Sequence, residues 1–218
     1  MVNISGDAIH EWVLHNLPNN SIIVEAGTAD GNDTLFFSNH CANGKIYGFE
    51  PEPVCFKESI NKVGARANVE VLNVALSDKS GTSTLYVSDR FGELWGSSSL
   101  LKPKEHLRVH TEISFKKEIS VQTINLDEWF QAKDLHHIDL LWLDMQGAEP
   151  LVLRSSPIAL SKTKYLYTEV SLIDTYENVE KYESFKLFLN ESGFDIIGEE
   201  LPWVDMGNIL LKNRNVIS

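Results

Sequence analysis

Two hydrophobic periods take turns along the chain. Short runs rich in β-branched and aromatic residues recur at 22–26, 45–49, 69–76, 138–143 and 164–170, each of strand length. Between them, residues 5–17, 53–63 and 179–192 repeat apolar side chains at helical intervals. In the first of these helices Ile9, Trp12, Val13 and Leu17 share a face, with Ser5 placed to cap it and Pro18 to end it. In the last, Tyr182, Phe185, Phe188 and Leu189 face inward and Gly193 closes the helix. Short helices are predicted over 34–41, 125–130 and 150–154. Residues 82–88 alternate as an antiparallel hairpin strand, 121–124 are extended, and 194–198 and 208–212 close the sheet as an antiparallel pair. Trp12, Trp129 and Trp142 read as core. Residues 90–117 show no period, and a loop that long in a compact domain is expected to serve function.

The most informative stretch is Ile22 to Gly31, Ile-Ile-Val-Glu-Ala-Gly-Thr-Ala-Asp-Gly. Three consecutive β-branched residues suit a strand buried on both faces, and Gly27 and Gly31 supply a tight turn. Asn32 or Asp33 can cap the helix that begins near Thr34. Strand, glycine turn and helix form the nucleotide-binding opening of a doubly wound α/β domain. A pyrophosphate-binding fingerprint reads Gly-x-Gly-x-x-Gly; this stretch has Gly-x-x-x-Gly and sets an acid, Glu25, at the strand end. A carboxylate there repels phosphate and suits the sulfonium and ammonium of S-adenosylmethionine. Glu50 follows Gly31 by 19 residues, at the next strand end, where an acid can accept both ribose hydroxyls. Ala75 and Leu76 end the third run with small apolar surface suited to a flat adenine ring. Asp144 ends the run expected beside the first strand, and Glu169 stands near the end of the next.

Charge and composition narrow the partners. There are 31 acids against 19 lysines and arginines, a formal net charge of -12, which counts against a nucleic-acid substrate. No run approaches a membrane span, no signal segment opens the chain, and the two cysteines, Cys41 and Cys55, read as buried thiols rather than a bridge. A single domain in a cytoplasmic, reducing setting is the expectation. A basic cluster from Lys102 to His110, with Lys116 and Lys117, reads either as a solvated loop or as a lid carrying charge toward an anionic substrate.

The order of motifs resembles the FkbM-type family of S-adenosylmethionine-dependent methyltransferases over roughly residues 20–200. Carrying it are Val24 to Gly31 with Thr34; Phe49-Glu50-Pro51; Asn73 to Asp78 with Gly81; Ser98-Ser99-Leu100; Leu126-Asp127; Asp144-Met145-Gln146-Gly147-Ala148-Glu149; and Glu169. The chain departs from the family pattern at Ala29, where Asn is usual, at Trp142, where Lys is usual, and at Gln146, where Glu is usual. The resemblance implies the class I methyltransferase fold, a Rossmann-like seven-stranded mostly parallel sheet with an antiparallel edge strand. It also implies O-methylation of a sugar, glycan or similar hydroxylated metabolite. On this reading Glu25, Gly27, Ala29, Gly31, Thr34, Glu50, Pro51, Ala75, Leu76 and Asp144 bind the cofactor.

Methyl transfer to a hydroxyl needs alignment and a sink for the proton. Asp144, Glu149, Glu169, His106 and His110 are the candidate bases, and Asp144 with Glu169 could instead share magnesium or manganese. Trp95, Tyr176 and Trp203 are candidate sugar platforms, and Ser98, Ser99 and Glu149 candidate acceptor contacts. Two further readings stay open: a nucleotide-dependent oxidoreductase, and a degenerate methyltransferase fold that only binds.

Overall fold

The computed structural model describes residues 1–216. Helix α1 (Ala8–Asn16) precedes β1 (Ile22–Ala26), α2 (Asn32–His40), β2 (Lys45–Phe49), α3 (Pro53–Val63) and β3 (Val69–Leu72). Next come β4 (Ala75–Ser77), β5 (Gly81–Arg90), β6 (Glu93–Leu94), α4 (His106–Val109) and β7 (Ile113–Asn125). The rest is α5 (Leu126–Ala132), β8 (Ile138–Leu143), α6 (Glu149–Arg154), α7 (Pro157–Ser161), β9 (Thr163–Ser171), α8 (Tyr182–Glu191), β10 (Phe194–Glu200) and β11 (Met206–Asn213).

A seven-stranded sheet runs β10-β11-β9-β8-β1-β2-β3. It is parallel except for β11, which lies antiparallel between β9 and β10, one place in from the edge. This is the class I methyltransferase arrangement expected from the sequence. Both faces are covered, which is why the central strands are apolar throughout. One face buries Ile23, Leu140, Trp142 and Tyr167 under Trp12 and Val13 of α1 and Phe37 of α2. The other buries Val24, Leu141 and Leu166 under Trp129, Val152, Leu153, Phe185 and Leu189 from α5, α6 and α8. Each such side chain contributes on the order of 1.5 to 3 kcal/mol on burial. All three tryptophans assigned to the core are buried.

The sequence reading needs three corrections here. The run at 69–76 is two strands: the Asn73 amide turns back to the carbonyls of Glu50 and Pro51, and β4 leaves the main sheet to pair with β7. Residues 90–117 are not one aperiodic loop, since β7 begins at Ile113 and pairs antiparallel with β5 in a second sheet ordered β4-β7-β5-β6. One side of that hairpin is exposed, and Lys116, Lys117 and Glu118 in succession hide its alternation. Finally, α2 has no side-chain cap; Gly31 occupies the cap position at φ 79°. Cys41 and Cys55 are free thiols; Cys41 is buried as expected, while Cys55 is only half-buried.

Candidate active site

At the carboxyl ends of β1, β2 and β8 the chain opens into a cavity of about 780 Å³, counting its mouth. Its floor is fastened backbone to backbone: Gly27 N–H donates to Phe49 O at 2.9 Å, and Asp144 N–H donates to Ala26 O at 3.0 Å. Gly27 sits at φ 87°, and a Cβ there would lie 1.9 Å from the Asp144 carbonyl oxygen, so only glycine lets β1 and β8 approach so closely.

Glu50 is built into the cavity wall. Oε2 accepts from Ala29 N–H at 2.8 Å and Oε1 from Glu52 N–H at 2.8 Å. One bond per oxygen leaves each with a lone pair for a ligand hydroxyl. Burial pushes the Glu50 carboxyl up to about 7. Gly27, Ala29, Pro51, Ala75, Leu76, Asp144, Trp95, Ser98 and Ser99 line the same cavity.

Other predicted residues stand elsewhere. Glu25 does not line the cavity; its buried carboxyl accepts from Thr34 Oγ at 2.7 Å, on the α2 side of the sheet. Burial raises it well above the usual carboxylate range. Glu25 and Thr34 therefore join strand to helix and do not face the cavity directly. Gly31 packs on α3, where a Cβ would meet Ser59 at 2.8 Å. His106 and His110 also lie outside the lining. His106 is buried against Phe115 and Tyr176 and lowered to about 4 by that burial, while His110 Nε2 is 2.7 Å from the buried Asp205. Neither faces the cavity as a base must. Of the basic cluster, Lys102 pairs with Glu177, Lys104 with Asp174 and Arg108 with Glu105, while Lys117 Nζ lies 3.8 Å from Glu52 at the cavity wall.

Tyr176 is buried, not a sugar platform. Its hydroxyl lies 3.0 Å from Ser97 O and 3.1 Å from Gln146 Oε1. Ser99 Oγ donates to Gln146 O at 2.8 Å. Together they latch the segment after β6 over the cavity. Trp203 is exposed and does not line it. Trp95 is the one platform candidate at the cavity, partly exposed, with the Arg90 guanidinium 4.5 Å from its ring.

Beside the cavity three acids converge. Asp144 Oδ1 and Glu169 Oε1 both accept from Gln146 Nε2, at 2.9 and 3.2 Å. Glu149 Oε1 accepts from Met145 N–H at 2.6 Å, and burial pushes that carboxyl up to about 8. Burial raises Glu169 well above its ordinary range, with Asp144 and Glu149 adding repulsion. Of the three only Asp144 lines the cavity. Unforeseen lining comes from Glu52 just before α3, Cys55 of α3, Leu85 of β5, and Met145 and Ala148. Glu52 was findable: an acid just before Pro53 is a helix-cap signal, and its Oε2 takes the N–H groups of Val54 and Cys55.

The methyltransferase FkbM domain matches residues 25–196. The chain belongs to the FkbM methyltransferase family. Among relatives of this methyltransferase, the 2-O-methyltransferase NoeI of Sinorhizobium fredii is 31% identical over 198 residues, 89% of this chain and 80% of NoeI. The FkbM methyltransferase structure from Methylobacillus flagellatus KT superposes with a TM-score of 0.54 at 10% identity, covering 90% of this chain. The present chain spans only 44% of that protein's length. Aeropyrum pernix fibrillarin, solved with natively bound S-adenosyl-L-methionine, gives 0.50 at 15% identity over 89% of this chain and 68% of its own. At such identities the two structures speak for the FkbM chain's fold alone. No helix among the described residues is long and apolar enough to cross a membrane.

Proposed function

We propose that this FkbM-family chain transfers a methyl group from S-adenosylmethionine to a hydroxyl of a sugar, glycan or similarly hydroxylated metabolite. The observation that carries the reading is Glu50, held by two backbone N–H groups at the wall of a strand-end cavity with a lone pair on each oxygen for the ribose. Small apolar surface at Ala75 and Leu76 suits the adenine, and Gly27 lets the ligand lie close to the backbone. That NoeI acts as a 2-O-methyltransferase favours oxygen as the acceptor atom.

The acceptor oxygen attacks the methyl carbon, the carbon–sulfur bond breaks with its electron pair left on sulfur, and the hydroxyl proton must leave. In this reading Asp144 takes it. It lines the cavity, and Gln146 engages its Oδ1 while Oδ2 has no side-chain or backbone partner among the described residues. Alignment and exclusion of water supply the rest of the rate, which is the part the latched segment from Trp95 to Ser99 serves. The net charge of -12 and the pairing of the loop cations with acids favour an uncharged hydroxylated acceptor over nucleic acid.

The test is incubation of the chain with methyl-labelled S-adenosylmethionine and a panel of sugars, oligosaccharides and polyols. Label recovered in a base-stable ether, with Asp144→Asn slowed by about 100-fold, is the expected result. Label appearing on nitrogen, carbon or RNA instead would replace the reading.

A further inference from the structure

We propose that the groove beside the cavity, between the β5–β6 hairpin and β7, is a second sugar subsite, so that the acceptor is a neutral glycan of two or more residues. In it, Phe91 stacks on the sugar next to the one methylated. This deepens the methyltransferase reading, on which the naming of a methylated sugar rests.

The hairpin tip carries the first sign. Phe91 and Gly92 turn the chain between Arg90 and Glu93, which pair, and both turn residues have positive φ, 57° and 92°. A two-residue turn of that kind favours Asn-Gly, and a bulky side chain in the left-handed region is strained. Here the strained residue is a phenylalanine that is 84% exposed. Burial does not offset the strain, and a ring held out at such a cost is placed to meet a ligand. Arg90 steadies it. The guanidinium lies 5.7 Å from the Phe91 ring centroid and 4.5 Å from that of Trp95, which lines the cavity. One cation thus ties an aromatic face of the groove to one of the cavity.

Groove and cavity adjoin. Leu94 lines the groove, and Trp95, the next residue, lines the cavity. Lys117 lines the groove, and its Nζ lies 3.8 Å from Oε1 of Glu52 in the cavity wall. That oxygen is buried and has no hydrogen-bond partner among the described residues, the lysine standing too far off to be one. The Lys117 side chain is 59% exposed and can turn outward, so a sugar hydroxyl entering there can donate to Glu52 and accept from Lys117. Val87 and Ile113 give the groove an apolar floor, while Asp89 and Glu112 balance Lys116 and Lys117. Apolar surface, an exposed ring, and donors and acceptors that balance in charge match a neutral saccharide, whose ring faces are apolar and whose edges are hydroxylated.

An array of neutral mono-, di- and trisaccharides, probed with the full chain, tests this. We expect the retained sugars to be di- or trisaccharides, bound roughly tenfold or more tightly than their own terminal monosaccharides. Phe91→Asn should abolish that advantage, leave monosaccharide binding unchanged and raise the melting temperature by about 2 °C or more, since Asn tolerates the turn. Phe91→Tyr, which keeps a ring, should retain the advantage. Retention of no sugar, equal binding of mono- and disaccharides, or a length preference that survives in Phe91→Asn overturns the subsite. A lower melting temperature in Phe91→Asn overturns it too, by making the ring a structural contact. Methyl-labelled S-adenosylmethionine added to the same sugars separates the two claims. Length-selective binding without label transfer upholds the subsite and removes the methyltransferase reading; transfer to a monosaccharide as fast as to its disaccharide does the reverse.

Discussion

Ala29 N–H donates to Glu50 Oε2 at 2.8 Å, so the turn after β1 and the acid after β2 are one unit. Ala29 does this at φ 46°, a left-handed conformation in which a Cβ costs about 1 to 2 kcal/mol. Asn, which the family pattern carries at this place, tolerates it better. Ala29→Gly should raise the unfolding free energy by up to about 1 kcal/mol, after the greater chain entropy of glycine is subtracted. Ala29→Val should lower it by about 2 kcal/mol and weaken cofactor binding, because a β-branched residue resists this φ. Chemical denaturation of the two variants checks both directions.

The Glu50 carboxyl gives a pH dependence whose sign follows from its environment. Burial lifts it from 4.5 to about 7, so the empty folded chain holds a proton that the unfolded chain has released between those values. That contribution to stability is full below about pH 4.5 and is lost as pH rises through about 7, on the order of 3 kcal/mol. Glu50→Gln should flatten this part of a stability-against-pH curve. Cofactor affinity should run the other way: the charged carboxylate is the better acceptor for two hydroxyls, so binding should weaken as pH falls below about 7, with proton uptake or release measurable by calorimetry in buffers of different ionisation heat.

Trp95 lines the cavity with the Arg90 guanidinium over its ring, and we propose it as the platform for the acceptor. Trp95→Ala should raise the acceptor KM roughly tenfold, the loss of a stacking contact of 1 to 2 kcal/mol, and change S-adenosylmethionine affinity much less. Equal losses in both would place the ring against the donor.

The strand-end wall of the cavity was legible because it depends on local chemistry where strands stop. Gly27, Glu50 and Asp144 are set by where each parallel strand stops, and strand ends read from apolar runs. Glu25 misled for a physical reason: it sits on the α2 side of β1, and Thr34, nine residues on, takes its carboxyl. Alternation alone cannot say which side of a doubly covered strand holds the ligand. The acceptor half was illegible because its contacts are long in sequence. Tyr176 reaches Ser97, His110 reaches Asp205, and β5 pairs with β7 across a connection whose exposed edge blurs its period. The meaning of Gln146 was equally hidden, since its value as a donor between two acids appears only when β8 and β9 lie side by side.

The most direct measurement is calorimetric titration of the parent chain and Glu50→Ala with S-adenosylmethionine, S-adenosylhomocysteine and a nicotinamide dinucleotide. The strand-end cavity predicts one-to-one binding of the two adenosyl compounds, no heat from the dinucleotide, and a loss of roughly 1 to 3 kcal/mol in Glu50→Ala. Dinucleotide binding in place of the adenosyl compounds, or an adenosyl affinity indifferent to Glu50, would contradict it.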